Sequence, residues 1–144
     1  MSHSMSQAER EAFLADVHVG VIGIATAAGP ALAVPIWYGY EPGGELWVIT
    51  EPSSVKARAI ASAGRFSLCA QTEAPPYKYV SVEGPVTSTE VCDEPTRRAM
   101  AYRYLGPEFG DMYLESTADR GGSHVYRMSP ERWYTVDFAK DFTG

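Results

Sequence analysis

The chain has little of what most often announces chemistry: two cysteines and three histidines in 144 residues. Cys69 lies in an apolar, strand-like run and Cys92 beside an acidic turn. They make no C-x-x-C redox pair, and neither has a histidine placed to complete a zinc site. Structural thiols in a reduced, cytoplasmic protein are expected. None of His3, His18 and His124 sits in a His, Asp and Ser constellation, so the sequence offers no hydrolytic triad. Cations are also few, 12 Lys and Arg against 18 Asp and Glu, for a net charge of −6. That balance excludes a duplex nucleic acid partner, whose phosphates need a broad basic face. Anion binding has to be local. No apolar run approaches the roughly 20 residues of a membrane-crossing helix. Residues 1–12 lack the apolar core of an export signal. No membrane anchor is expected, and residues 1–5 read as a disordered terminus. No glycine fingerprint follows the first strand, which excludes a doubly wound dinucleotide fold.

What remains is an apolar content of 45%, enough for one domain over residues 1–144 with its own core. The stretch from 45 to 68 organises it. Leu46 to Thr50 is a β-branched and aromatic strand, Pro52 stops it, and Ser53 or Ser54 can cap a helix whose first amides stay free to face an anion. Lys56 and Arg58 stand in or beside the first turn. Cations there oppose the helix dipole, a placement that makes sense if something anionic arrives.

Along the chain, residues 6–16 read as an amphipathic helix with Ser6 and Glu9 as its capping box and Phe13 and Leu14 on its apolar side. Residues 19–26 and 31–40 form a hairpin. Pro35 cannot donate to a ladder, so the second strand is at an edge or bulged there, leaving backbone near Ile36 free for a ligand. Residues 65–72 and 77–91 are further strands, the latter bent at Gly84 and Pro85. Residues 93–105 form a helix capped by Asp93 and ended by Gly106 and Pro107, with one more helical turn over 109–114 and a loop at 120–122. Strands over 123–128 and 133–138 close the domain. Many short antiparallel strands with few helices predict a small β-barrel with helices over its openings.

The order Val34-Pro35-Ile36-Trp37-Tyr38, then 45–50, then Ser54-Val55-Lys56-Ala57-Arg58, then 65–68, then 79–84 resembles the split-barrel flavin and deazaflavin oxidoreductases. These belong to the pyridoxamine 5′-phosphate oxidase-like superfamily, and the closest likeness is to its branch using the deazaflavin coenzyme F(420). The resemblance covers residues 10–135. It implies a six- to seven-stranded antiparallel split β-barrel, mainly β with short flanking helices. It also implies a homodimer with each cofactor at the subunit interface. Thr50, Ser54 and Lys56 map to the phosphate cradle, and Arg58 to a second basic position. Pro35, Ile36 and Trp37 map beside the ring, Lys78 and Tyr79 to residues reaching in from one subunit, and Trp133 to a C-terminal aromatic near the ring. Trp133 also reads as a core or interface aromatic.

By that resemblance the chain is an oxidoreductase passing a hydride from reduced F(420) to an unsaturated or conjugated small molecule. The cofactor carries the chemistry, and no catalytic acid or base is assigned. Tyr38, Tyr77 and Tyr79 are candidate proton donors. Residues 59–64 depart from the family's basic pattern, which thins the surface expected to meet the oligoglutamate tail of F(420). FMN is therefore an alternative cofactor, and a non-catalytic binding module an alternative role. Vitamin B6 synthesis is not expected, because the substrate-phosphate residues are missing.

Overall fold

A computed structural model describes residues 3–119 and 122–142. The strands are β1 Gly20–Ile24, β2 Leu32–Ile36, β3 Tyr38–Tyr40, β4 Leu46–Thr50, β5 Arg65–Gln71, β6 Lys78–Val91, β7 His124–Met128 and β8 Arg132–Asp137. The helices are α1 Gln7–Ala15, α2 Val55–Ala63 and α3 Glu94–Ser116, and a 3-10 turn spans Phe138–Asp141. The strands form one antiparallel sheet in the order β2-β1-β5-β6-β7-β4-β3, with β8 also on β6. There are eight strands among the described residues rather than six or seven, because the run 31–40 divides at Trp37. Its first half pairs with β1 and its second half with β4. The two ends of the sheet are thus one segment, and Trp37 alone joins them into a half-closed barrel.

Long β6 organises the pairing. Residues 79–85 take β5, 78–83 take β8, and 86–91 take β7, with a register shift between Val86 and Ser88. Gly84 is required at this corner, since a Cβ there would lie 1.8 Å from the carbonyl oxygen of Ser129. Alternation along the strands sends Ile22, Leu68, Val80, Val82, Val48 and Met128 inward to a core that each helps to fill. Each such side chain contributes about 1.5–3 kcal/mol through burial.

Local chemistry sets the helix ends. Ser6 and Glu9 make the capping box of α1, Ser54 caps α2, and Gly64 ends it with φ 70°. Asp93 caps α3, and Gly106 breaks it with φ 76° before Pro107. The segment after Gly106 folds back: Gly110 packs on Tyr102 and Ala101, and Tyr102 donates to Asp111. Arg97, near the start of α3, donates to the Leu114 carbonyl at 3.1 Å and to Thr117 Oγ1. Pro35 sits at a sheet edge without a register shift, the simpler of the two expected arrangements.

Residues 3–5 are not loose. Met5 is 8% exposed in the core, its amide donates to Thr135 Oγ1 at 3.0 Å, and the His3 carbonyl accepts from Asp137 N. Burial of one large side chain and these bonds outweigh the freedom of a chain end. Residues 1 and 2, and residues 120 and 121 of the expected loop, lie outside the described residues. Among the described residues no helix is long and apolar enough to cross a membrane.

Candidate functional site

A cleft of about 550 Å³ opens where β2 and β4 end and α2 begins, with α3 as its opposite wall. Pro35, Ile36 and Trp37 line one side, and Thr50, Ser54 and Lys56 another. Six of the ten residues mapped from sequence therefore share one cavity, of a size usual for small-molecule sites.

The polar corner is built by strand β4 running into the cap of α2. Thr50 Oγ1 and Ser54 Oγ are 2.9 Å apart, and Ser54 Oγ accepts the Ala57 amide at 3.0 Å. The amides of Val55 and Lys56, first in the helix, have no carbonyl four residues back inside it. The dipole leaves that end partly positive. Lys56 forms no ion pair with a described residue. Hydroxyls, free amides and an unopposed ammonium make a cradle that suits a phosphate. Glu51 and Glu94 also line the cleft, and its other described cation, Arg97, lies 3.7 Å from Glu94, so among the described residues the unpaired positive charge of the cleft sits at this corner.

The apolar side is aromatic. Trp37 stacks on Tyr104 with centroids 4.8 Å apart and planes 6° from parallel, and meets Tyr113 tilted at 5.5 Å. Tyr104 also bolts the barrel seam, its hydroxyl donating to His18 O at 2.6 Å and accepting Tyr38 N at 3.0 Å. Met100, Ala101, Tyr113 and Thr117 of α3 and its cap face the same cavity, as does Arg97. Sequence reasoning did not find this wall. Apolar spacing at Met100 and Ala101 was visible, but the return of the chain after Gly106 rests on contacts far apart in sequence.

The other four mapped residues lie elsewhere in the chain. Arg58 is exposed on α2 outside the cavity. Lys78 faces Asp137 at 3.9 Å, and Tyr79, 36% exposed, pairs with Val136 on the outer sheet face. Trp133 packs against the core, with Arg10 over its ring at 4.5 Å and Tyr40 edge-on at 6.3 Å.

Acid and base chemistry is sparse. Tyr38 is not available as a proton donor: it is fully buried, donates to Leu14 O at 2.7 Å, and burial pushes its pKa up. Burial, with Asp93 adding to it, raises the Cys92 thiol and keeps it protonated in the cleft wall. No group of three or more metal-ligating side chains gathers among the described residues.

Outside the cavity, one face of the sheet carries no helix among the described residues. Pro35, Val21, Cys69, Ser81 and Tyr134 lie side by side in register across it. Ala33, Gly23, Ser67, Glu83 and Arg132 form the next row. Small side chains at Ala33, Gly23, Ser67, Cys69 and Ser81 alternate there with larger ones, and Val21 and Tyr134 are 41% and 58% exposed on it.

Solved structures with the same fold share little sequence with this chain. A conserved hypothetical protein of Mycobacterium tuberculosis superposes with TM-score 0.73 at 22% identity, covering 96% of this chain and 89% of that one. A structure described as an F(420) reductase gives 0.70 at 20% identity, over 86% and 94%. An FAD-binding protein of Mesorhizobium loti gives 0.60 at 17% identity, over 91% and 94%. No curated protein sequence matches. The family model described as pyridoxamine 5′-phosphate oxidase matches residues 6–137, and with the split barrel in place the chain belongs to that family of flavin-type oxidoreductases.

Proposed function

We propose that the chain acts as a homodimeric oxidoreductase that holds reduced F(420) in the cleft for hydride transfer to an unsaturated or conjugated organic substrate. One observation carries the reading: the Thr50, Ser54 and Lys56 cradle opens into the same cavity as the strand end Pro35 to Trp37. An anionic group and a planar ring held by one short molecule need this adjacency. When bound, the reduced deazaflavin supplies the hydride, so the protein's task is positioning and exclusion of water.

Lys56 and the first amides of α2 hold the phosphate, and the Thr50 and Ser54 hydroxyls fix its orientation. Backbone at Ile36, on an edge strand, contacts the ring. The bare sheet face supports a second copy as partner, since it exposes Val21 and Tyr134 beside a polar margin that includes the Glu83 and Arg132 pair, the mix of apolar centre and polar rim that interfaces use. Pro35 belongs both to that face and to the cleft, so a dimer formed through this face would have the site beside its seam. Lys78 and Tyr79 would then serve a site across it.

FMN is a second reading with its own support. Glu51 and Glu94 line the cleft, and among the described residues Lys56 is its one lining cation without a carboxylate partner. That suits a single phosphate better than an oligoglutamate tail. The test is the absorbance spectrum of protein purified from a host making both cofactors, followed by titration with each. Retention or tight binding of F(420) with turnover on enones supports the first reading. FMN alone would establish the second, and affinity for neither would overturn both.

A further inference from the structure

We infer that the folded-back arm of α3 selects the substrate, and that it selects flat, uncharged molecules with Tyr113 and Met100 as the discriminating side chains. The inference rests on the cofactor site proposed above and concerns the opposite wall of the same cleft.

The cavity's charges are spoken for on geometric grounds. Lys56 lies at the phosphate corner. Arg97 spends its guanidinium on the Leu114 carbonyl and Thr117 Oγ1, with Glu94 3.7 Å away. Glu51 and Glu94 repel a second anion. A substrate carboxylate entering beside the ring would lose water and, among the described residues, find no uncommitted cation there to replace it. Met100, 5% exposed, Ala101, 1% exposed, and Tyr113, tilted over Trp37 at 5.5 Å, make the wall's apolar and aromatic part, and the Thr117 hydroxyl beside them is engaged with Arg97 and with Tyr113 O. Trp37 is covered on one side by Tyr104 at 4.8 Å. A planar conjugated molecule would find dispersion and ring contacts there.

The wall is held by a small number of contacts. Gly106 reverses the chain with φ 76°, Gly110 allows the arms to touch, and Arg97 pins the far end. Tyr113 is therefore placed by long-range bonds rather than by the barrel.

Two probes of nearly the same shape separate charge from fit: benzylideneacetone, a neutral planar enone, and trans-cinnamate, in which a carboxylate replaces the acetyl group. Binding to the cofactor-loaded protein is read by quenching of tryptophan fluorescence, and cofactor affinity is read separately by absorbance titration. The enone is expected to bind at least tenfold more tightly than cinnamate. Tyr113→Ala should weaken the enone tenfold or more, Tyr113→Phe should keep its affinity within threefold, and cofactor affinity should stay within twofold in both. Equal affinity for the two probes, or a Tyr113→Ala protein that binds the enone as wild type does, overturns the inference. Loss of cofactor affinity along with enone affinity does so too, because Tyr113 would then serve the cofactor. A wild-type protein that binds neither F(420) nor FMN while still preferring the enone would refute the cofactor site and leave the wall standing.

Discussion

Lys56 occupies the second helical position of α2, where the dipole favours an anion and the first turn holds no acidic residue. Lys56→Ala is expected to weaken cofactor binding by about 1 to 3 kcal/mol through loss of a charge-assisted contact. Its melting temperature should stay near wild type, because the side chain has no structural partner to lose. Titration followed by absorbance checks the first, calorimetry the second. Gly84 is the opposite kind of residue, with no chemistry and no room. Gly84→Ala pushes a methyl into the Ser129 carbonyl and should destabilise the fold by about 2 to 4 kcal/mol, measured by denaturant unfolding. His18 adds a pH dependence. Its ring stacks on Phe13 at 4.4 Å, its Nε2 is buried without a partner, and burial lowers its pKa below the ordinary 6.5. The neutral ring is favoured in the fold, so its contribution is present above pH 6.5 and lost as pH falls through the lowered value. The Tm advantage of wild type over His18→Gln should therefore shrink between pH 7.5 and pH 5. A constant difference would show that His18 contributes only packing.

The helices show which parts of the structure could be read from sequence. Ser6 with Glu9, Ser54, Asp93, and the Gly106-Pro107 break all act within a few residues, and each appears where the sequence placed it. The cradle was legible for the same reason, since Thr50, Ser54 and Lys56 are close in sequence and one strand-to-helix turn brings them together. The α3 wall was not, because the sequence marks where the helix breaks but not the direction of its return. That direction depends on Arg97 reaching Leu114 and on Gly110 meeting Tyr102. Trp133 was ambiguous on the same account, as its packing beside Arg10 and Tyr40 joins three distant parts of the chain. A consequence at this scale is that Arg97→Ala should release the second arm. Hydrogen exchange at residues 107–117 is expected to quicken tenfold or more, while β5 and β6 keep their protection. Uniform quickening across the sheet would instead mean that Arg97 supports the whole domain.

At the scale of the whole molecule, the uncovered sheet face is the largest feature that the single chain leaves unexplained. If it is the seam of the proposed dimer, sedimentation should give twice the chain mass at micromolar concentration. Val21→Glu combined with Tyr134→Glu, on one register row, should give the monomer with weakened cofactor binding. A wild-type monomer in that experiment would leave Pro35 beside solvent and remove Lys78 and Tyr79 from the site. The partner switch at Trp37 has another consequence. Two margins of the sheet belong to one short run of chain, β2 with five residues interrupted by Pro35 and β3 with three, while six-residue β8, paired to β6 alone, has the Asp137 amide at its end donating to His3 O. At the β2 and β3 rims a foreign strand finds only a short or proline-interrupted template, so this part of the fold resists fibril growth and runaway strand exchange without spending a helix to shield it.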